Sequence, residues 1–256
     1  VEHWAKIVLQ KAKTALDSVK VYEVKIQTDI AQGQSLTAIN TALQVLQQFG
    51  ISFPEKPSQA DIDSGLNTIT SLLNEKSIEN LIHLPEMEPD KLVAMRILSS
   101  ILVACYIAAP NLMPLVAFEQ VRLCIQYGNT FMSPLAYTNL GFVLCGIVGD
   151  IEAGYKFGQL ALKLLSQASY HSLKSRTLNL VSQLIVHHKE HLREVSSPFL
   201  EGYQSGLESG DLEFAAYNAF CYCCQSFFIG KELVEVEREM AVYGEAMRQL
   251  KQETVL

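Results

Sequence analysis

Three clusters in this chain combine residue types and spacings that could do chemistry. The first is His187-His188-Lys189-Glu190-His191. His187 and His191 are four apart, so on a helix they share a face. Two imidazoles so placed can hold zinc if one or two more ligands arrive from elsewhere. A helical zinc protease needs Glu directly after its first His, and here that residue is His188. Packing explains the same spacing: Val181, Leu184, Ile185 and His188 form one stripe. His187 and His191 then sit at its border near a helix end, where imidazole is favourable. A phosphoaccepting His would be followed by an acidic residue and by Pro five positions on. His191 is followed by Leu192, and Pro198 comes seven positions on.

The second cluster is Cys221-Tyr222-Cys223-Cys224, which contains a Cys-x-x-Cys. A redox pair of this kind opens a helix in a βαβ setting. This one lies mid-helix, where Tyr217, Cys221, Cys224 and Phe228 make one apolar stripe, so it reads as core. A zinc ribbon would need a second Cys-x-x-Cys, which the sequence lacks. Cys105, Cys124 and Cys145 also lie in apolar runs. All six read as buried, reduced thiols of a cytoplasmic protein rather than as a secreted disulfide framework. The third cluster is a seam: Leu233, Val236, Met240, Tyr243, Met247 and Leu250 step at heptad spacing. It can pack on the preceding helix, or pair with another chain as a dimer contact. Phosphate loops, Gly-x-Gly-x-x-Gly turns, kinase catalytic loops and Gly-x-Ser-x-Gly elbows are all absent from the sequence. No catalytic residue and no cofactor is expected.

The elements that must position these residues are helices. Almost every segment has helical period, and strand alternation is missing. Gln32-Gly33-Gln34 ends a first helical stretch, and 36–49 follows with Gly50 as its cap. Ser58-Gln59-Ala60-Asp61 is a capping-box-like start for a helix to Asn74. A short helix near 77–83 precedes Pro85, and Pro89 opens a helix to Ala108. Further helices are expected to Tyr127, over 134–148, 151–165, 171–189, 198–208, 211–229 and 231–251. Short joints between helices favour antiparallel hairpins. The later hairpins start at Pro134, His171 and Asp211, 37 and then 40 residues apart, close to the periods of helical-hairpin repeats. Asn139-Leu140-Gly141, Gly149-Asp150, Gly154, Ala161 and Leu162 follow the tetratricopeptide pattern of small residues at a close crossing, with a turn one residue too long. A second such hairpin is expected over 21–31 and 36–46, with Ala38 and Ala42 at the crossing. Gly210-Asp211-Leu212-Glu213 echoes Gly149-Asp150-Ile151-Glu152, but 61 residues away, which fits turn chemistry and not the repeat. The expected fold is all-α: one degenerate tetratricopeptide-like domain over 1–256, coiled as a right-handed α-solenoid.

Composition narrows the function. The chain has 256 residues, 20 basic and 27 acidic, for a net charge of −7. That excludes a general nucleic-acid binder and an anionic-membrane binder, both of which need clustered Lys and Arg. Hydrophobic residues make up 49% and charged residues 18%, so the chain can build a core. Residues 97–118 and 123–149 carry no charge over 22 and 27 positions. Pro110, Pro114, Asn129 and Pro134 interrupt them, so each reads as two short buried helices and not as a membrane span. The mixed, charged N-terminal stretch 1–13 reads as no signal peptide, and a start at Val1 reads as a fragment of a longer chain.

Several long strings carry a family resemblance. They include Leu43-Gln44-Val45-Leu46, Phe49-Gly50-Ile51-Ser52-Phe53-Pro54-Glu55-Lys56-Pro57-Ser58 and Leu84-Pro85-Glu86-Met87. Lys91-Leu92-Val93-Ala94-Met95-Arg96-Ile97-Leu98-Ser99-Ser100 and Tyr127-Gly128-Asn129-Thr130 follow. Gly149-Asp150-Ile151-Glu152, Gly202-Tyr203-Gln204-Ser205-Gly206 and Phe227-Phe228-Ile229-Gly230-Lys231-Glu232-Leu233 complete them. Across nearly its whole length the chain resembles one segment of the large cyanobacterial multi-sensor hybrid kinases. Those join a serine/threonine-kinase domain, a P-loop ATPase module, helical repeats, a GAF-type sensor and a histidine kinase. The resemblance implies the helical-repeat region between ATPase and sensor, and it carries over no catalytic residue. The implied role is a non-catalytic scaffold or coupling module whose partners are other domains of the same kinase or a partner protein or peptide. The alternative is a small-molecule sensor, in which 97–118 and 123–148 line an apolar pocket.

Overall fold

The computed structural model describes residues 12, 15–73, 76–167 and 172–250. Residues 1–13 other than Ala12, and the expected helix ends at Asn74, His171 and Lys251, lie outside these residues. The described chain is all-helical. Its helices are α1 (Ala15–Ala31), α2 (Ser35–Gln48), α3 (Gln59–Leu73), α4 (Pro89–Ala108), α5 (Met113–Tyr127), α6 (Ser133–Val143), α7 (Ile151–Leu165), α8 (Lys174–Leu184), α9 (Ser196–Ser209), α10 (Leu212–Phe228) and α11 (Leu233–Gln249). Tight 3-10 turns occupy Ile78–His83, Val186–His188 and Leu192–Val195, and a π turn occupies Leu144–Val148.

Local chemistry sets most boundaries. At α3, the Ser58 backbone N–H donates to Asp61 Oδ2 at 2.8 Å, closing the expected reciprocal cap. At the end of α2, Gly50 N–H donates to the Gln47 carbonyl at 3.1 Å and Ile51 N–H to the Leu46 carbonyl at 3.0 Å. That crossed pair satisfies two carbonyls the helix would leave bare. After α6 the chain closes in a π turn: Gly149 N–H reaches back five residues to the Leu144 carbonyl at 2.8 Å. Gly149 and Gly210 hold φ of +86° and +78°, a left-handed conformation in which a Cβ would be strained.

One expected helix is shorter than its pattern. The period predicts a helix over 171–189, but α8 ends at Leu184 and Ile185 leaves helical geometry at φ −125°. Past that break the chain continues in 3-10 turns: Ile185 and Val186 are both buried, and His188, expected to pack, is exposed.

Contacts group the chain into two compact units, 1–136 and 137–256. In the first, α1 packs on α2 and α4, α2 on α4, α4 on α5, and α5 on α3. Two strings that are far apart in sequence meet there: Met87 N–H donates to the Asn129 carbonyl and Asn129 N–H to the Pro85 carbonyl, both at 2.7 Å. The Asn129 side chain donates to the Leu81 carbonyl at 2.7 Å, tying the 3-10 turn to the same joint. The uncharged stretch supplies the core of this unit, with Ile97, Leu98, Ile101 and Cys105 fully buried. Among the described residues, α4 alone is long and apolar enough to cross a membrane, and half of its Lys91–Ala108 window is buried inside the protein.

In the second unit, α7 packs on α8, α9 on α8 and α10, and α10 on α8 and α11. Helices α6 and α7 touch backbone to backbone. A methyl on Gly154 would lie 2.8 Å from the Gly141 carbonyl oxygen and 3.1 Å from the Cys145 amide nitrogen. Ile185 seals the crossing: its Cδ1 lies 2.7 Å from where a Gly141 methyl would stand.

Candidate functional site

The structure does not bring His187 and His191 onto one helical face. His187 sits in the turn Val186–His188, its ring 4.1 Å from that of His188. Partial burial of the ring, then the neighbouring His188, lowers the His187 pKa. His191 caps the next turn instead, its Nδ1 accepting the Arg193 N–H at 3.1 Å. Among the described residues no group of three His, Cys, Asp or Glu side chains gathers closely enough for a metal ion.

The charged residues between these histidines are fasteners that sequence reasoning missed. Lys189 pairs with both Glu152 oxygens at 2.7 and 2.8 Å and lies 5.0 Å above the Tyr155 ring. Tyr155 donates its hydroxyl to Glu190 in a very short hydrogen bond. That bond, then burial, pushes the Tyr155 pKa up to about 12. Both links tie the turn after α8 back onto α7. Their sequence signal was only a charged pair beside a break.

The cysteines carry no activated thiol. All six are free, and all but Cys224 are buried. Burial pushes Cys105 up to about 12 and Cys221 and Cys223 up to about 11. Such thiols stay protonated at neutral pH and are poor nucleophiles. The stripe read as core is split: Cys221 is buried, whereas Phe228 is 69% exposed.

The C-terminal seam is divided in the same way. Val236 and Met247 are buried, and Met247 joins Ala216 and Ala219 in a small core flanked by Tyr203 and Tyr243. Tyr243 meets Tyr203 and Tyr222 edge to face, with centroids 5.3 and 5.7 Å apart. Leu250 is half-buried, while Leu233 and Met240 project into solvent. The seam is thus partly spent on α10 and α9.

The outward face of α10 is the feature the sequence reading did not single out. Phe220, Phe227 and Phe228 recur at helical spacing and are 45%, 56% and 69% exposed. Past the joint, Leu233 and Val234 are exposed as well, and Glu232, Glu235 and Glu237 stand exposed beside them. The opposite face is buried through Ala215, Ala216, Asn218, Ala219 and Tyr222. A helix apolar on both sides gives no moment from which to predict its wet side.

Asn218 anchors that buried face. Its amide nitrogen donates to the Phe214 carbonyl at 2.7 Å and to the Ser175 carbonyl at 3.1 Å, and lies 3.2 Å from Ser175 Oγ. Ser175 donates to the Gly202 carbonyl at 2.8 Å. One polar node thus joins α8, α9 and α10. Compared with known proteins, the chain matches no protein-family model and no curated protein.

Proposed function

We propose that this chain is a non-catalytic helical scaffold, a cytoplasmic coupling module of a signal-transduction kinase, whose hairpins belong to a tetratricopeptide-like right-handed solenoid. The observation that carries the reading is the outward face of α10, with Phe220, Phe227 and Phe228 in solvent and Leu233 and Val234 just beyond. Clustered exposed aromatics on an otherwise well-packed helix mark a protein-interaction surface. The acidic rim of Glu232, Glu235 and Glu237 favours a partner helix or peptide with apolar anchors and basic flanks. Free, buried thiols support a reducing compartment. The resemblance described above supplies the kinase context.

The test is the double variant Phe227→Ala/Phe228→Ala in a chain carrying this segment beside its kinase domains. We expect phosphotransfer to lose its response to the upstream signal while the thermal midpoint of the segment stays within about 2 °C of the parent, since exposed residues are replaced. An unchanged response would sink the reading. Solution scattering of the segment tests the solenoid separately.

A further inference from the structure

One cavity of the second unit differs from its neighbours in chemistry. It is an open cleft of about 350 Å³ where the turn Leu192–Val195, the start of α9 and the α10–α11 joint meet. Arg193, Lys231, Ser196, Ser226 and Tyr222 line it, and the Glu239 carboxylate stands behind them, bonded to Lys231 and to the Tyr222 hydroxyl. By contrast, the cavity beside Lys174 is lined by Glu201 and Glu208, and the one along α3 by Asp63. Two cations and three hydroxyls are an unexpected lining in a chain of net charge −7.

Both cations have donors to spare. The backbone of Arg193 is pinned by His191 Nδ1 at 3.1 Å, and its exposed guanidinium has no partner among the described residues. Lys231 Nζ donates to Glu239 Oε1 at 2.6 Å and lies 3.4 Å from the Tyr222 hydroxyl. An ammonium has three donors, so one remains. Glu239 stands behind Lys231 and raises its pKa, keeping it charged. The Tyr222 hydroxyl donates to Glu239 Oε1 at 3.1 Å, but the two serine hydroxyls are incomplete. Ser196 Oγ is sealed from solvent with no hydrogen-bond partner. Ser226 is 1% exposed, and no partner engages its hydroxyl among the described residues. A buried polar group without a partner is costly, and a ligand oxygen would remove that cost.

We propose that this cavity binds the phosphoryl group of a small phosphomonoester, gripped between Arg193 and Lys231 with Ser196 and Ser226 donating to its oxygens. The guanidinium fork, one ammonium N–H and two hydroxyls approach from separate elements. A carboxylate offers only two oxygens, whereas a phosphomonoester has three terminal ones and up to two negative charges. The cavity is larger than a phosphoryl group, and Ile229 with the Tyr222 ring supplies an apolar wall for the remainder. This site goes beyond the scaffold role and stands or falls independently of it.

Calorimetric titration of the full chain at fixed ionic strength tests the site, with phenyl phosphate, inorganic phosphate and benzoate as probes. We expect phenyl phosphate to bind at least about tenfold more tightly than benzoate, the ratio expected from charge-assisted hydrogen bonds a carboxylate cannot match. Arg193→Ala should weaken phenyl phosphate by about tenfold or more, with Ser226→Ala smaller. The thermal midpoint of unliganded Arg193→Ala should match the parent, because the side chain is exposed. No heat with phenyl phosphate up to about 10 mM, or equal binding by Arg193→Ala, overturns the site. Benzoate binding as tightly overturns the phosphoryl preference. Inorganic phosphate binding as tightly as phenyl phosphate overturns the organic part of the ligand.

Discussion

Two hairpins of the second unit turn on the same four-residue chemistry yet are held in different ways. Gly149-Asp150-Ile151-Glu152 joins α6 to α7, and Gly210-Asp211-Leu212-Glu213 joins α9 to α10. The backbones nearly coincide: glycine φ is +86° and +78°, and aspartate φ is −84° and −83°. The aspartates then part. Asp150 accepts the Ala153 N–H at 3.0 Å, a local cap. Asp211 instead grips Arg176 of α8 through two bonds of 2.6 and 3.1 Å, and Arg176 lies over the Phe214 ring. The crossings differ as well. Glycine meets glycine directly between α6 and α7, whereas Ser175 and Asn218 fill the junction of α8, α9 and α10 with polar contacts. A turn's backbone follows its own sequence, but its side-chain partner depends on what the rest of the unit places opposite.

The largest effect should come from the dry crossing. Gly154→Ala would press a methyl against the Gly141 carbonyl and the Cys145 amide, backbone atoms that cannot rotate away. A loss of about 3 kcal/mol in urea unfolding is expected, the upper range for overpacking. Asn218→Ala should cost less, about 2 kcal/mol by the same measurement, because it empties a buried polar site and removes the side-chain bonds that link α10 to Ser175, while the two carbonyls keep their bonds within their own helices. If Asn218→Ala cost more than Gly154→Ala, the polar node and not the glycine contact would be the main fastening of this unit.

The aspartates sharpen the contrast further. Asp211→Ala and Arg176→Ala should couple by about 0.5–1 kcal/mol in a double-mutant cycle, modest because Arg176 is partly exposed. Asp150→Ala should cost about 1 kcal/mol, typical of a lost cap, and should be additive with Arg176→Ala. Coupling between Asp150 and Arg176 would erase the distinction drawn between the turns.

The smallest effect concerns the joint after α8. The His187 pKa is lowered on folding, so the unfolded chain binds more protons just below the ordinary imidazole value of 6.5. Stability is then full above that value and declines as pH falls through it. A fall of about a degree in thermal midpoint between pH 7.5 and 5.5 is expected, since the residue is exposed. His187→Gln should flatten that slope, and an unchanged slope would assign it to other groups.

Much of the fold was legible in the sequence. Pro89, the Ser58–Asp61 cap, Gly50 and the two Gly-Asp pairs mark helix ends through chemistry confined to a few residues, and α4 and α7 have the bounds their patterns predict. The small residues Gly141 and Gly154 likewise pointed to a close crossing. The candidate site was less legible. The helical period running through His187 to His191 hid the break at Ile185, and Phe228 belonged by spacing to a stripe that reads as core.

The sequence by itself determined where helices start and stop, because capping, turn conformation and proline geometry act within one or two turns of backbone. Only the tertiary structure decided which face of α10 is buried, which partner each aspartate takes, and that Arg193 and Lys231 share one cavity. α10 is apolar all round, so its own residues cannot choose a side. Its neighbours choose, because the small residues of α9 let it approach on the side where Asn218 can reach Ser175. Arg193 and Lys231 are separated by a helical hairpin, and no local rule relates them until α9 and α10 fold against each other.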